Sequence, residues 1–394
     1  MAAAIKKSAA LLALTQAAIA VPSVAAGEGI EAGYLFSEYR EQDIAGSRTA
    51  TGRDESRYDI QSHLFKIVAP LESSVVNVDL TYETMSGASP WYVTPDADGK
   101  PVQVMSGASI NEERVDLQAQ WSKPIKNVLV GLTGGYSTED DYEAINGGVE
   151  LEFENPSKTL TWRGGLGYSS DKLDPTEGGS TRFPLRISSA DRDSWTMYGG
   201  VSLVVNPMTV VQASVSYSDS DGYLSDPYKQ AWIQSISNVV ADSRPDGKRA
   251  VAFTTRLRHK IEPLNAAVHV DYRFHDDDWD IQSHTVEAAW YQRLNETWTV
   301  TPALRWYSQS QAFFYEPYYA TARTDGFASS DYRLSPFGAL SGRVDVAKAI
   351  GAWNIAAGVE YYKADERFAL KQVDVENPGI VEYTSLQLRV RRVF

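Results

Sequence analysis

The sequence predicts an all-β fold: a single antiparallel transmembrane β-barrel of about sixteen strands, with short periplasmic turns and long extracellular loops. Three observations carry that expectation. Stretches of roughly ten to fifteen residues alternate apolar with polar side chains, the period of a strand with one greasy and one wet face. The connections between them alternate short and long, as hairpins crossing a bilayer do. The chain closes on Leu386-Gln387-Leu388-Arg389-Val390-Arg391-Arg392-Val393-Phe394, an alternating strand ending in phenylalanine, the form that outer-membrane insertion machinery reads.

The N-terminus explains how such a chain is exported. Lys6 and Lys7 precede an apolar run from Ala9 to Ala20, followed by Val24-Ala25-Ala26. Residues 1–26 therefore read as a cleaved secretory signal, too short to span a bilayer, and 27–394 as one barrel. No later segment reaches the eighteen or so apolar residues of a transmembrane helix. Any crossing falls to strands. With 22 tyrosines and 10 tryptophans, the chain is rich in the residues that form interfacial girdles. It has no cysteine, which excludes disulfides and thiolate metal sites but suits an oxidising periplasmic route. The net charge of −14 argues against nucleic acid as a partner.

Sixteen strand starts are expected near Gly29, Ser56, Ser74, Glu112, Asn127, Tyr142, Lys158, Ser194, Met208, Lys248, Leu264, Ile281, Glu296, Tyr332, Ala352 and Val381. Short turns fall at Glu72-Ser73, Pro124-Ile125-Lys126, Asn155-Pro156-Ser157, Asn206-Pro207, Glu262-Pro263, Leu294-Asn295 and Ile350-Gly351. Aromatic residues such as Trp121, Tyr136, Trp162, Tyr168, Trp195, Tyr217, Trp298 and Trp306 lie toward strand ends, where a girdle places them. Closure follows from physics: in hydrocarbon every backbone N–H and C=O needs a partner, and only a closed sheet has no edge.

If the apolar parity faces lipid, the other parity lines the lumen. Its early strands contribute Glu31, Asp59, Asp79, Glu83, Asp116, Glu150, Glu152 and Glu154 against Arg114. Its later strands contribute Arg256, Arg258, Lys260, Arg273, Arg293, Arg305, Arg343, Arg389 and Arg391 against Asp271, Glu287, Asp345 and Glu360. One wall would be acidic and the other basic, either orienting solutes in a transverse field or merely solvating the wall by pairing.

Two loops carry more pattern than a connector needs. Met85-Ser86-Gly87-Ala88-Ser89 returns as Met105-Ser106-Gly107-Ala108-Ser109 around Pro90-Trp91-Tyr92-Val93. This loop either folds inward and narrows the lumen or packs as a surface hairpin. Between Asp219 and Gly247, Trp232, Ile236 and Val239 or Val240 recur at helical spacing, which predicts a short amphipathic helix that plugs the pore or shields the rim. The clusters Glu139-Asp140-Asp141 and Asp276-Asp277-Asp278 with Asp280 offer oxygens to divalent cations shared with lipopolysaccharide, although their spacing is not that of an EF-hand loop.

No catalytic or cofactor motif emerges. Of five histidines, His269 shares a face with Asp271 and His284 follows Ser283, adjacencies that do not amount to a triad. HExxH, P-loop and GxGxxG patterns are absent from the sequence, so neither an enzyme nor a bound cofactor is expected.

The stretches Met85-Ser86-Gly87-Ala88-Ser89-Pro90, Asp221-Gly222-Tyr223-Leu224-Ser225-Asp226-Pro227-Tyr228, Arg305-Trp306-Tyr307-Ser308-Gln309-Ser310 with Phe314-Tyr315, and Ser330-Asp331-Tyr332-Arg333-Leu334-Ser335 resemble an uncharacterised family of Gram-negative outer-membrane proteins defined only as a domain of unknown function. The resemblance implies a barrel without an assigned substrate, and a partnership with a small lipoprotein or a periplasmic flavin-linked redox protein. Tyr223, Tyr228, Tyr307, Gln309 and Tyr315 fall at extracellular strand ends or in loops, where they either line a ligand site or anchor the loops. The expected function is an outer-membrane pore or transporter for polar solutes. The alternative is a plugged barrel that scaffolds such a redox partner.

Overall fold

The computed structural model describes residues 29–106 and 110–394. The expected signal segment, and Gly107 of the repeat, lie outside the described residues. The strands are β1 (Glu31–Glu41), β2 (Asp59–Leu71), β3 (Ser74–Gly87), β4 (Pro90–Pro95), β5 (Pro101–Met105), β6 (Ile110–Ile125), β7 (Val128–Glu139), β8 (Tyr142–Glu154), β9 (Leu160–Leu173) and β10 (Ala190–Asn206). They continue as β11 (Thr209–Gly222), β12 (Gln230–Ile233), β13 (Asn238–Ala241), β14 (Gly247–Ile261), β15 (Ala266–Asp277), β16 (Gln282–Arg293), β17 (Trp298–Gln309), β18 (Phe337–Ile350), β19 (Trp353–Asp365) and β20 (Glu382–Val393). Sixteen of them close into one barrel, with β4–β5 and β12–β13 set apart as two hairpins. The seam joins β1 to β20 with Glu31 opposite Val393 and Glu41 opposite Tyr383. Every barrel pair is antiparallel, so the start of β1 and the end of β20 both lie at the short-turn, periplasmic end.

The alternation read from the sequence decides which face meets lipid. Phe65, Ile67, Leu80, Leu117, Leu132, Leu151, Leu257, Leu304, Val344 and Leu388 all remain exposed on the outer parity. In water such a surface would be a liability; in hydrocarbon it is the stable one. Leu304 is 72% exposed near the middle of β17, so Leu304→Arg is expected to destabilise the folded barrel by about 2–4 kcal/mol. Urea unfolding in phospholipid vesicles measures this, and a loss below about 0.5 kcal/mol would place Leu304 outside the bilayer.

The short turns pack tightly because residues there accept left-handed backbone, with φ of 58° at Lys126, 49° at Asn265 and 56° at Gly351. Gly87 ends β3 at φ 115°, where a Cβ would lie 2.0 Å from the Arg57 carbonyl oxygen. Only glycine permits that approach between the first two extracellular loops.

Three expectations need correction. Asp59 shares the outward parity of Phe65 and pairs with Arg40 at 3.1 Å, so it sits on the outer rim, not in the lumen. The segment around Trp232 is a hairpin, in which Trp232 lies opposite Val239 and Ile233 opposite Asn238. Ala231 and Ile233 are buried at strand spacing while Ile236 is 59% exposed; pairing across the turn satisfies the backbone, and the four-residue recurrence is incidental. Finally, β18 begins at Phe337 because Tyr332–Leu334 form a 3-10 turn whose start is capped by Asp331 accepting from the Arg333 backbone N–H.

Not all extracellular connections are long. Residues 140–141 and 278–281 are tight turns, so both acidic clusters occupy hairpin tips.

Candidate functional site: a capped, charged lumen

The longer extracellular loops do not stand apart; they meet. The β4–β5 hairpin belongs to the loop between β3 and β6, the third and fourth barrel strands, whereas β12–β13 belongs to the loop between the ninth and tenth. Yet Lys229 Nζ donates to the Pro90 carbonyl at 2.9 Å, and the Tyr92 and Trp232 rings stack at 6.4 Å. Loops rooted six strands apart on a ring of sixteen touch only by crossing the mouth. Further crossings follow: β12 bridges the β17–β18 loop at Ile233 and Tyr319, and Ser243 bridges Ala328. Arg48 donates to the Pro378 carbonyl at 2.6 Å, Tyr318 to that of Gly99 at 2.7 Å. The two copies of the sequence repeat also join, with Ser106 N donating to the Ser89 carbonyl at 2.9 Å.

A core holds this cap together. Trp279, Ile281, Ala312, Phe314, Tyr315 and Leu334 form a buried cluster, with Leu224, Phe327 and Val375 packed on it. Trp279 meets Phe314 edge-on at 5.2 Å and donates its indole N–H to the Gly247 carbonyl at 3.0 Å. Beside the core lies a buried ionic network. Arg244 bridges Asp242 at 2.7 Å and Asp331 at 2.9 Å, while Arg333 bridges Asp331 at 2.6 Å and Asp226 at 2.9 Å. With Lys229 the set holds three cations and three carboxylates, and the neutrality is what makes burial tolerable.

Burial alone would raise the Asp331 carboxyl, but Arg333, Lys229 and Arg244 hold it well below the usual range. Burial lowers Lys229. A second buried pair, Arg57 with Glu41, ties the first loop to the cap through an Arg57 hydrogen bond to the Gly379 carbonyl at 2.9 Å. Arg57 also lies over the Tyr332 ring at 5.2 Å.

This packing decides the roles of several sequence candidates. Tyr315 and Tyr228 are 1% and 4% exposed, so both anchor loops and present no ligand face. Tyr228 hydrogen-bonds Asp141 and receives the Thr176 N–H at 2.9 Å. Tyr223 packs against Tyr142, Ala144 and Leu173. Gln309 donates to the Arg333 and Ser335 carbonyls at 2.9 and 2.6 Å, and Tyr307 donates to Gln309 at 2.6 Å. Of the repeat, Met85, Ser86 and Gly87 complete β3, Ala88 and Ser89 link it to β4, Met105 ends β5, and Ser106 follows it.

Below the cap, the lumen parity carries the wall charges. On the early strands each cluster has a cation: Lys66 meets Asp79 at 3.2 Å, Arg114 meets Glu83 at 3.0 Å and Asp116 at 3.5 Å, and Arg163 meets Glu150 at 3.4 Å as well as Glu152. Lys66 and Arg163 were missed in the sequence, although strand parity alone places both inward. On the later strands Asp271 takes Arg258 and, at 4.0 Å, Arg256. Arg343 takes Glu287 at 3.3 Å and Asp345 at 3.0 Å, and Lys260 takes Glu262 at 3.3 Å near the periplasmic end. Arg273, Arg293 and Arg305 have no ion-pair partner among the described residues and are exposed within the lumen. An unpaired guanidinium keeps its charge only where water reaches it.

One further oxygen-rich group lies at the mouth. Glu112, Glu139 and Asp141 each bring a carboxylate oxygen within 4.8 Å of the others, joining the expected hairpin-tip cluster to β6; Arg114 lies 3.8 Å from Glu139. The second cluster is split by strand parity: Asp277 turns inward to Lys248 at 2.8 Å and His275 at 3.2 Å.

Several solved structures resemble this one. CdiB from Acinetobacter baumannii aligns over 93% of this chain and 60% of its own at 7% identity, TM-score 0.50. The outer membrane protein opdK from Pseudomonas aeruginosa aligns over 93% and 99% at 7% identity, TM-score 0.40. The siderophore receptor PirA from Pseudomonas aeruginosa aligns over 86% of this chain at 11% identity, TM-score 0.42, and this chain spans 56% of that receptor. At these identities the likeness concerns the fold. No curated protein sequence matches the chain. Residues 2–380 match one family model, and the chain therefore belongs to the family described as "Protein of unknown function (DUF3570)".

Proposed function

We propose that the protein is a gated outer-membrane transporter for polar solutes, with a water-filled, charged lumen closed toward the outside by the loop cap. The observation that carries this reading is the combination of loops meeting across the mouth through the Asp226–Arg333–Asp331–Arg244–Asp242 network with unpaired arginines in the lumen below. A barrel serving only as a membrane anchor has no use for hydrated arginines inside it. A permanently open pore has no use for a neutral, buried network across its mouth. At the other end the connections between strands are short turns, so no described loop covers the periplasmic exit. Lipopolysaccharide meets the outer rim, and insertion machinery acts during assembly.

The test is planar-bilayer conductance of the refolded mature protein, compared with a variant whose residues 228–241 are replaced by a short Gly-Ser linker. Rare, brief openings are expected for the wild type and steady conductance for the variant. A silent variant that keeps its heat-modifiable migration would overturn the transporter and favour the scaffold for a lipoprotein or flavin-linked redox partner.

A further inference from the structure

Among the lumen charges Arg273 is singular. Among the described residues it forms no ion pair, and its neighbours across the wall are Tyr307 and Arg305. Neighbouring carboxylates are engaged elsewhere, Asp271 by Arg258 and Glu287 by Arg343. Thr285 lies opposite both Arg273 and Tyr307 in the strand register, and Arg305 is two residues from Tyr307, so the two arginines stand two strands apart, roughly 12 Å between backbones, within reach of one solute. Glu287, opposite Arg305 in register, is taken by Arg343, so the two like charges repel and an arriving anion relieves that repulsion.

The adjoining wall is aromatic. Tyr39, Tyr383 and Tyr362 come from β1, β20 and β19 on the same inward parity, Tyr362 opposite Tyr383 in register. The Tyr39 and Tyr383 rings lie 4.5 Å apart; Tyr362 stacks on Tyr383 at 4.6 Å and 13°. Arg305 lies opposite Ser341, and Ser341 opposite Tyr362, in the strand register. Tyr39, Tyr362, Tyr383, Arg273 and Arg305 all lie within four residues of the extracellular ends of their strands. The guanidiniums and the aromatic row therefore face one volume directly beneath the cap.

We propose that Arg273 and Arg305, with the ring faces and hydroxyls of Tyr362 and Tyr383, form a binding site for a small organic anion that carries a carboxylate or phosphate and a planar face. The site rests on the transporter reading and supplies its substrate class. Paired arginines recognise an oxyanion by geometry as well as charge. Stacked rings select a flat partner over a purely inorganic ion.

Calorimetric titration of the refolded full-length mature protein in detergent tests the site without requiring conductance, so its outcome separates from that of the gating experiment. Benzoate is expected to bind, inorganic phosphate at least fivefold more weakly, and benzyl alcohol not measurably. Arg273→Ala/Arg305→Ala is expected to weaken benzoate at least tenfold. Tyr362→Phe/Tyr383→Phe, which keeps the stacking, is expected to weaken it by a smaller factor, and it covers the case in which the arginine variant does not fold. Equal binding of benzoate and phosphate would remove the rings from the site. Undiminished benzoate binding in the arginine variant, tight benzyl alcohol binding, or no benzoate binding to the wild type would overturn the proposal.

Discussion

On the transporter reading, Asp331→Ala is expected to convert a mostly closed channel into a mostly open one. Asp331 is 1% exposed and is the carboxylate shared by Arg244 and Arg333. Without it the buried set keeps three cations but only two carboxylates, and breaking a buried pair in this way costs about 3–5 kcal/mol. The cost falls on the closed cap alone, because an open cap would hydrate those arginines. At about 1.4 kcal/mol per tenfold, the closed-to-open ratio falls by roughly two to three and a half orders of magnitude. Single-channel recording reads this as open probability; an unchanged record from a folded variant would show that the network does not hold the gate.

The same carboxylate sets the pH response. Its ionisation in the closed state lies well below the usual value of about 3.8, so its stabilisation is fully present above that value and is lost only as pH falls through the lower, closed-state one. Wild-type open probability is therefore expected to be equal at pH 7 and pH 4.5 with respect to this group, rising only in stronger acid.

Phe314→Ala acts on the cap through packing. Phe314 is fully buried against Trp279, Phe313 and Phe327, and removing its ring leaves a cavity worth about 3–5 kcal/mol. The barrel below is held by its own ladder of hydrogen bonds, so the loss is local. Limited trypsin digestion is expected to nick the variant within the cap, at Lys229 or Arg323, at a rate well above wild type, while the barrel fragment stays resistant. Equal digestion rates would mean that the aromatic cluster does not keep the cap shut.

Strand number, order and facing were legible because a barrel is built from local information. Alternation decides which residue faces lipid, and a short turn forces the next strand to pair with the last. Val76, Val78, Leu80 and Tyr82 announced β3 in this way, and the inward parity announced Asp79 and Glu83. The same parity rule places Lys66, Arg163, Tyr39, Tyr362 and Tyr383 inward as well.

What no local rule could supply is which loops meet. Asp226 and Arg333 are separated by 107 positions, and nothing in either neighbourhood names the other. Their pairing depends on where sixteen strands place their ends around a ring. For the same reason the sequence left open whether Tyr228 and Tyr315 line a ligand site or anchor the loops, and they become buried anchors once separate loops pack. The sequence by itself determined a membrane barrel with a polar interior, since period-two patterning and backbone pairing are local constraints. Only the tertiary structure decided that the mouth is capped and that Arg273 faces Arg305, because burial and charge compensation are properties of whichever distant segments share a space.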